Sequence, residues 1–162
     1  MFSKADRFYG YFLNELLARD SSGLHISEHR IAQQRFYIVN DQIPIFVKYC
    51  SAPGNLWSFS FSHQQQVIQR ELYHHKGACI TAFVCGVDGI AALRYHELRR
   101  VLDDHFEPVE NVIIRREPNH SYDVRGHDGH LTERVPRNSL DRALGNSLLE
   151  MKPPRMRMAL QA

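Results

Sequence analysis

The chain has 162 residues, 43% of them hydrophobic, which suffices for one buried core, is short for two, and excludes a wholly disordered protein. Twenty Lys and Arg against eighteen Asp and Glu leave a formal charge of only +2, so neither a strongly basic nucleic-acid coat nor an acidic tail organises the molecule. Cys50, Cys79 and Cys85 cannot all pair within one chain and form no CxxC, which reads as reduced thiols in a cytoplasmic protein. No segment approaches the roughly 18 uninterrupted apolar residues of a membrane span, so no membrane partner is expected.

Phe8, Phe12 and Leu16 recur at spacing four, joined by Leu13 and Leu17, and predict an amphipathic helix over about 4–19, capped by Ser3 or Asp6. The following SSGLHISEHR breaks that period and reads as a connection, with a turn of helix after Ser27. From Arg35 to Cys50, aromatic and β-branched residues flank Asn40-Asp41, which predicts two strands joined by a tight turn, with Pro44 at an edge or strand start. Trp57, Phe59 and Phe61 alternate with Ser58 and Ser60 in a third strand that has one aromatic face and one wet face.

Ser62 followed by Gln65 is a capping-box pattern, and it opens a second helix that Gly77 ends. ACITAFVC and IAALRY form a hairpin around Asp88-Gly89, and Leu98, Val101, Leu102 and Phe106 mark a third helix. VENVIIRR is a strand, and SYDVRG-HDG-HLTERV a further hairpin about Asp128-Gly129. Asn138 or Ser139 then caps a helix through Leu149. Hairpins mixed with helices define an α+β fold, its helices on one side of a mostly antiparallel sheet. Residues 1–150 make a single domain. Lys152, Arg155 and Arg157 fall in a flexible basic tail, 151–162.

Within the strand QIPIFVKYC, Lys48 is a lone cation among apolar neighbours. The order α-β-β-β-α-β over about residues 4–85 resembles the core of restriction-endonuclease-like nucleases. That resemblance implies an acid near the start of the second core strand and an acid-x-lysine on the third, where magnesium and lysine meet at the scissile phosphate. The FVK triplet supplies Lys48, with Phe46 standing in the acidic position. Asp41 on the same hairpin and Glu15 on the first helix are the carboxylates that would complete a catalytic set. The bland reading of Lys48 is an edge-strand lysine that keeps its charge in water.

His120, Asp123, His127, Asp128 and His130 crowd the last hairpin. His127 and His130 would face one another across it and, with Asp123, could share a metal ion. Arg115, Arg116, Arg125, Arg134 and Arg137 in the same region could contact nucleic acid, or could pair with neighbouring acids in water. The leading expectation is a module without catalysis or cofactor that engages a protein or nucleic-acid partner. A divergent magnesium-dependent endonuclease is the first alternative and a metal-binding hairpin the second. An uncovered aromatic strand face would make the chain a homo-oligomer.

Overall fold

The computed structural model of the protein describes residues 1–18 and 24–150. The proposed tail with Lys152, Arg155 and Arg157, and the Ser21-Ser22-Gly23 break, lie outside the described residues.

Helix α1 (Lys4–Leu17) opens on a capping box in which Asp6 N donates to Ser3 Oγ at 3.1 Å and Ser3 N donates to Asp6 Oδ2 at 3.0 Å. Strands β1 (Ile26–Ile31), β2 (Gln34–Val39) and β3 (Ile43–Cys50) form an antiparallel meander. The β2–β3 turn is the expected one, with Asn40 and Asp41 at φ 53° and 56°. The β1–β2 turn uses Ala32 and Gln33 at φ 48° and 67°. Neither residue carries the usual signature of that backbone, so the sequence reads as a connection where the structure has a hairpin. Pro44 pairs with Ile38, while the parallel partner on the other side of β3 begins only at Ile45. Proline therefore sits where β3 is still an edge on that side.

Strand β4 (Leu56–Ser62) leaves this sheet and leads directly into α2 (His63–Lys76), which Ser62 and Gln65 cap and left-handed Gly77 ends. Strand β5 (Ile80–Cys85) then returns parallel to β3, and β6 (Gly89–Arg94) closes the order β1-β2-β3-β5-β6. Helix α3 (Tyr95–Val101) begins and ends earlier than the apolar spacing implies, because Glu97 folds back to accept from Arg94 N at 3.0 Å. Strands β7 (Val109–Arg115) and β8 (Asp123–Gly126) join β4 in a second, three-stranded antiparallel sheet.

Residues 130–135 make only two isolated bridges, Arg125 to His130 and Tyr122 to Val135, rather than a full strand. Between those bridges Thr132 and Glu133 turn outward to meet Arg100. Helix α4 (Leu140–Glu150) follows, but Asn138 and Ser139 serve β6 instead of capping it. Ile90 N donates to Asn138 Oδ1 at 3.3 Å, and Ala92 N to Ser139 Oγ at 2.8 Å.

These elements form an α+β fold in three layers, with helices on both faces of the larger sheet rather than on one. Helices α1 and α4 cover Tyr37, Val39, Ile45, Val47, Ala82 and Val84. On the opposite face α2 covers Phe36, Ile38 and Phe46, while α3 and the smaller sheet cover Phe83, Cys85, Ala91 and Leu93. The smaller sheet turns Trp57, Phe59 and Phe61 inward, so the chain itself covers its aromatic face. No helix among the described residues is long and apolar enough to cross a membrane.

Phe83 is fully buried and lies edge-on to both Phe59 (4.8 Å) and Phe61 (5.9 Å), which ties the two sheets together. Phe83→Ala is expected to cost ~3–5 kcal/mol. Ile113→Ala, on the exposed face of β7, should stay within about 0.5 kcal/mol. Urea unfolding of the two variants measures the contrast.

Candidate functional site

Lys48 lies near the end of β3 on the α2 side. Its Nζ donates to Gln65 Oε1 at 2.9 Å and stands 4.3 Å from the centre of the Phe61 ring. Gln65 Oε1 also accepts from Ser62 N at 3.1 Å, so the cap of α2 and the lysine share one acceptor. Burial pushes the ammonium down to about 8, with no carboxylate contribution to oppose it. Lys48 is thus a half-buried cation, not the edge lysine in water.

Asp41 and Glu15 do not reach it. Asp41 is exposed in the β2–β3 turn, 3.7 Å from His25. It is separated from Lys48 by seven residues of strand, roughly 23 Å at 3.3 Å per residue. Glu15 sits half-buried on α1, against the other face of the sheet. Phe46, two residues before the lysine, is buried and stacks on Phe36 at 5.0 Å.

The five arginines separate into distinct roles. Arg116 Nε donates to Asp88 Oδ2 at 2.7 Å and Arg137 Nε to Asp88 O at 2.6 Å, and Tyr122 OH adds a bond to Asp88 Oδ2 at 2.8 Å. The Arg116 guanidinium holds the Asp88 carboxyl below its ordinary range, and this cluster fixes the β5–β6 turn. Arg115 pairs with Glu117 at 2.6 Å, both exposed, and exposed Arg125 pairs with half-buried Asp123 at 3.5 Å. Arg134 lines a cleft, where its Nη1 donates to Ser121 O at 3.4 Å.

That cleft, of about 380 Å³, lies between α3 and the 133–136 segment and is lined by Arg94, His96, Arg100, Arg134 and Arg142 with Glu97 and Glu133. Glu97 binds Arg94 at 3.0 Å and Arg142 at 3.1 Å. Its burial alone would raise its pKa, but these two cations outweigh that and hold it at about 2. Arg100 pairs with exposed Glu133 at 3.1 Å. Four arginines against two glutamates leave the cleft with an excess of positive charge.

The histidine hairpin also divides. His130 Nε2 lies 2.6 Å from Asp123 Oδ1, whereas His127 and Asp128 occupy the turn and approach Glu110 of β7. Comparison of the chain with protein-family models, with curated proteins and with solved structures returns no match.

Sequence reasoning passed over the buried polar residues that surround these sites. Gln66 donates to Glu110 and accepts from Arg99 Nη2 at 3.2 Å, and Gln69 donates to Thr81 Oγ1 at 3.1 Å. A signal for Glu110 was present, because it shares its side of the alternating strand with Val112 and Ile114, both buried. The helical spacing of Gln66 and Gln69 with respect to one another was a weaker one.

Below pH about 8, Lys48 is protonated both folded and unfolded, and the cost of burying its charge is felt in full. Between about 8 and its ordinary 10.5, the unfolded chain binds a proton that the folded chain has released, so stability from this group rises with pH. The rise amounts to at most about 3 kcal/mol. Lys48→Met should flatten that part of the stability profile, as measured by urea unfolding from pH 7 to 11.

Proposed function

We propose that the protein is a non-catalytic accessory module that binds the phosphate backbone of a nucleic acid along the arginine cleft between α3 and the 133–136 segment. The observation that carries this reading is the cleft's four arginines against two glutamates, one of which is already fully engaged with Arg94 and Arg142. Arg100 and Arg134 are its exposed donors, and phosphate oxygens would replace Glu133 and a backbone carbonyl as their partners. The reading without catalysis is supported at Lys48, where the Phe61 ring and the Gln65 amide oxygen face the ammonium. Such a lysine can orient a phosphate, but it has no carboxylate with which to hold the cation that activates water.

One observation favours the endonuclease-like alternative with magnesium. Lys48 stands on the third strand of the meander, and that strand pairs in parallel with β5, although β4 comes before α2 and gives one strand more than the order the resemblance implies. Phe46 in place of the acid weighs against it.

Fluorescence anisotropy with labelled single- and double-stranded DNA and RNA, at 50 and 200 mM salt, tests the proposal. Neutralising two phosphates predicts about a tenfold loss of affinity between those concentrations. Arg100→Glu combined with Arg134→Glu should abolish the salt-sensitive binding and leave unfolding temperature nearly unchanged. Magnesium-dependent cutting that Lys48→Ala removes would establish the endonuclease instead. Absence of binding at 50 mM salt would reject both and direct attention to a protein partner.

A further inference from the structure

Glu110 is the most confined carboxylate among the described residues. It is 0% exposed, on the inward side of β7, opposite Phe61 of β4. Gln66 donates to its Oε2, but its Oε1, equally buried, has no hydrogen-bond partner. A carboxylate oxygen withdrawn from water and left unpaired is costly, and native proteins rarely keep one without a ligand or ion to answer it. The Glu110 carboxylate belongs to a group in which Glu110, His127 and Asp128 each offer one atom, all within 4.8 Å of one another.

The turn that carries His127 and Asp128 is held firmly. Asp128 N donates to Val101 O at 2.9 Å, and Asp128 Oδ2 accepts from Asp103 N at 2.9 Å. A Cβ on Gly126 would lie 2.2 Å from Val101 O, and one on Gly129 would lie 2.1 Å from Arg100 O. Both positions therefore require glycine for the turn to sit flush on the end of α3. The Asp128 carboxylate faces the buried Glu110 carboxylate within this group. Two carboxylates so placed need a proton or a cation between them.

We infer that Glu110, His127 and Asp128 bind a single divalent transition-metal ion, Zn²⁺ in preference to Mn²⁺, where β7, the 126–129 turn and the end of α3 meet. An imidazole with two carboxylates suits zinc, whereas an all-oxygen set would suit magnesium or calcium, and zinc outranks manganese at a nitrogen-containing site. Ligand atoms about 2.0–2.2 Å from a tetrahedral zinc lie roughly 3.3–3.6 Å apart, so the three side chains, within 4.8 Å of one another, rotate inward to close on the ion. His127 and Asp128 are exposed, which leaves the outer side of the ion to water. The ligand set differs from the hairpin pairing of His127 with His130, because His130 is occupied by Asp123. It is independent of the nucleic-acid reading and is measured without any polynucleotide.

The full chain, stripped by chelator and dialysed, is titrated with zinc chloride by calorimetry beside His127→Ala, Asp128→Asn and His130→Ala. The expected result is one zinc per chain in the parent and in His130→Ala, with affinity lowered at least about tenfold in the other two. Asp128→Asn retains an oxygen for Asp103 N. Weaker zinc binding at an unchanged unfolding temperature therefore separates loss of a ligand from loss of the turn. Loading with Co²⁺ gives a second readout, a visible absorption band that His127→Ala abolishes. Absence of saturable binding overturns the site, as does binding that His130→Ala weakens and His127→Ala leaves intact.

Discussion

Burial of β5 on both faces is the constraint from which the other features follow. All six of its residues are buried, and its neighbours β3 and β6 pair with it along its whole length. Ile80, Ala82 and Val84 face α1 and α4, while Thr81, Phe83 and Cys85 face α2 and the smaller sheet. A strand with no wet side needs a layer on each face. One layer is helical, and the other combines two helices with the β4-β7-β8 sheet, so the chain builds a three-layer molecule from one domain's length of sequence. Burial also raises the pKa of the Cys79 and Cys85 thiols, which suits structural cysteines better than reactive ones.

The second layer has a cost at its seams. Around α2, α3 and β7, Gln69 Oε1, Arg99 Nε and Glu110 Oε1 are enclosed without a hydrogen-bond partner. Arg99 also lies near the rings of Tyr95 and Phe106, each about 5.2 Å from its guanidinium carbon. Groups of this kind lower stability unless they specify an arrangement or hold a ligand. The cleft is lined by Arg100 and the turn at His127 packs on Arg100 and Val101, so the short helix α3 positions both.

Much of the fold was legible locally. The capping boxes at Ser3 and Ser62, the stop at Gly77, the Asn40-Asp41 turn and the alternation of Trp57, Phe59 and Phe61 each state their own geometry within a few residues. The β1–β2 hairpin was not legible, because Ala32 and Gln33 take left-handed backbone without the glycine or asparagine that announces it. The segment after Asp128 looked like a strand by its residues, yet its backbone bonds to Val124 and Tyr122 are separated by Thr132 and Glu133, whose side chains bond Arg100. The site residues followed the same rule. Lys48 was visible as an isolated cation, but its distance from Asp41 and Glu15 depended on strand length and on which face of the sheet α1 covers.

By itself the sequence determined the α+β class, most element boundaries and the inward face of the aromatic strand, because caps, turns and hydrophobic period act over neighbouring residues. Only the tertiary structure decided that β4 leaves the larger sheet, that β5 returns parallel to β3, and that Arg116 and Arg137 converge on Asp88. It also decided that His127 joins Glu110 while His130 joins Asp123. Glu110 and His127 are seventeen residues apart, and no local period relates them. Their meeting is fixed by the packing of two glycines against the end of α3.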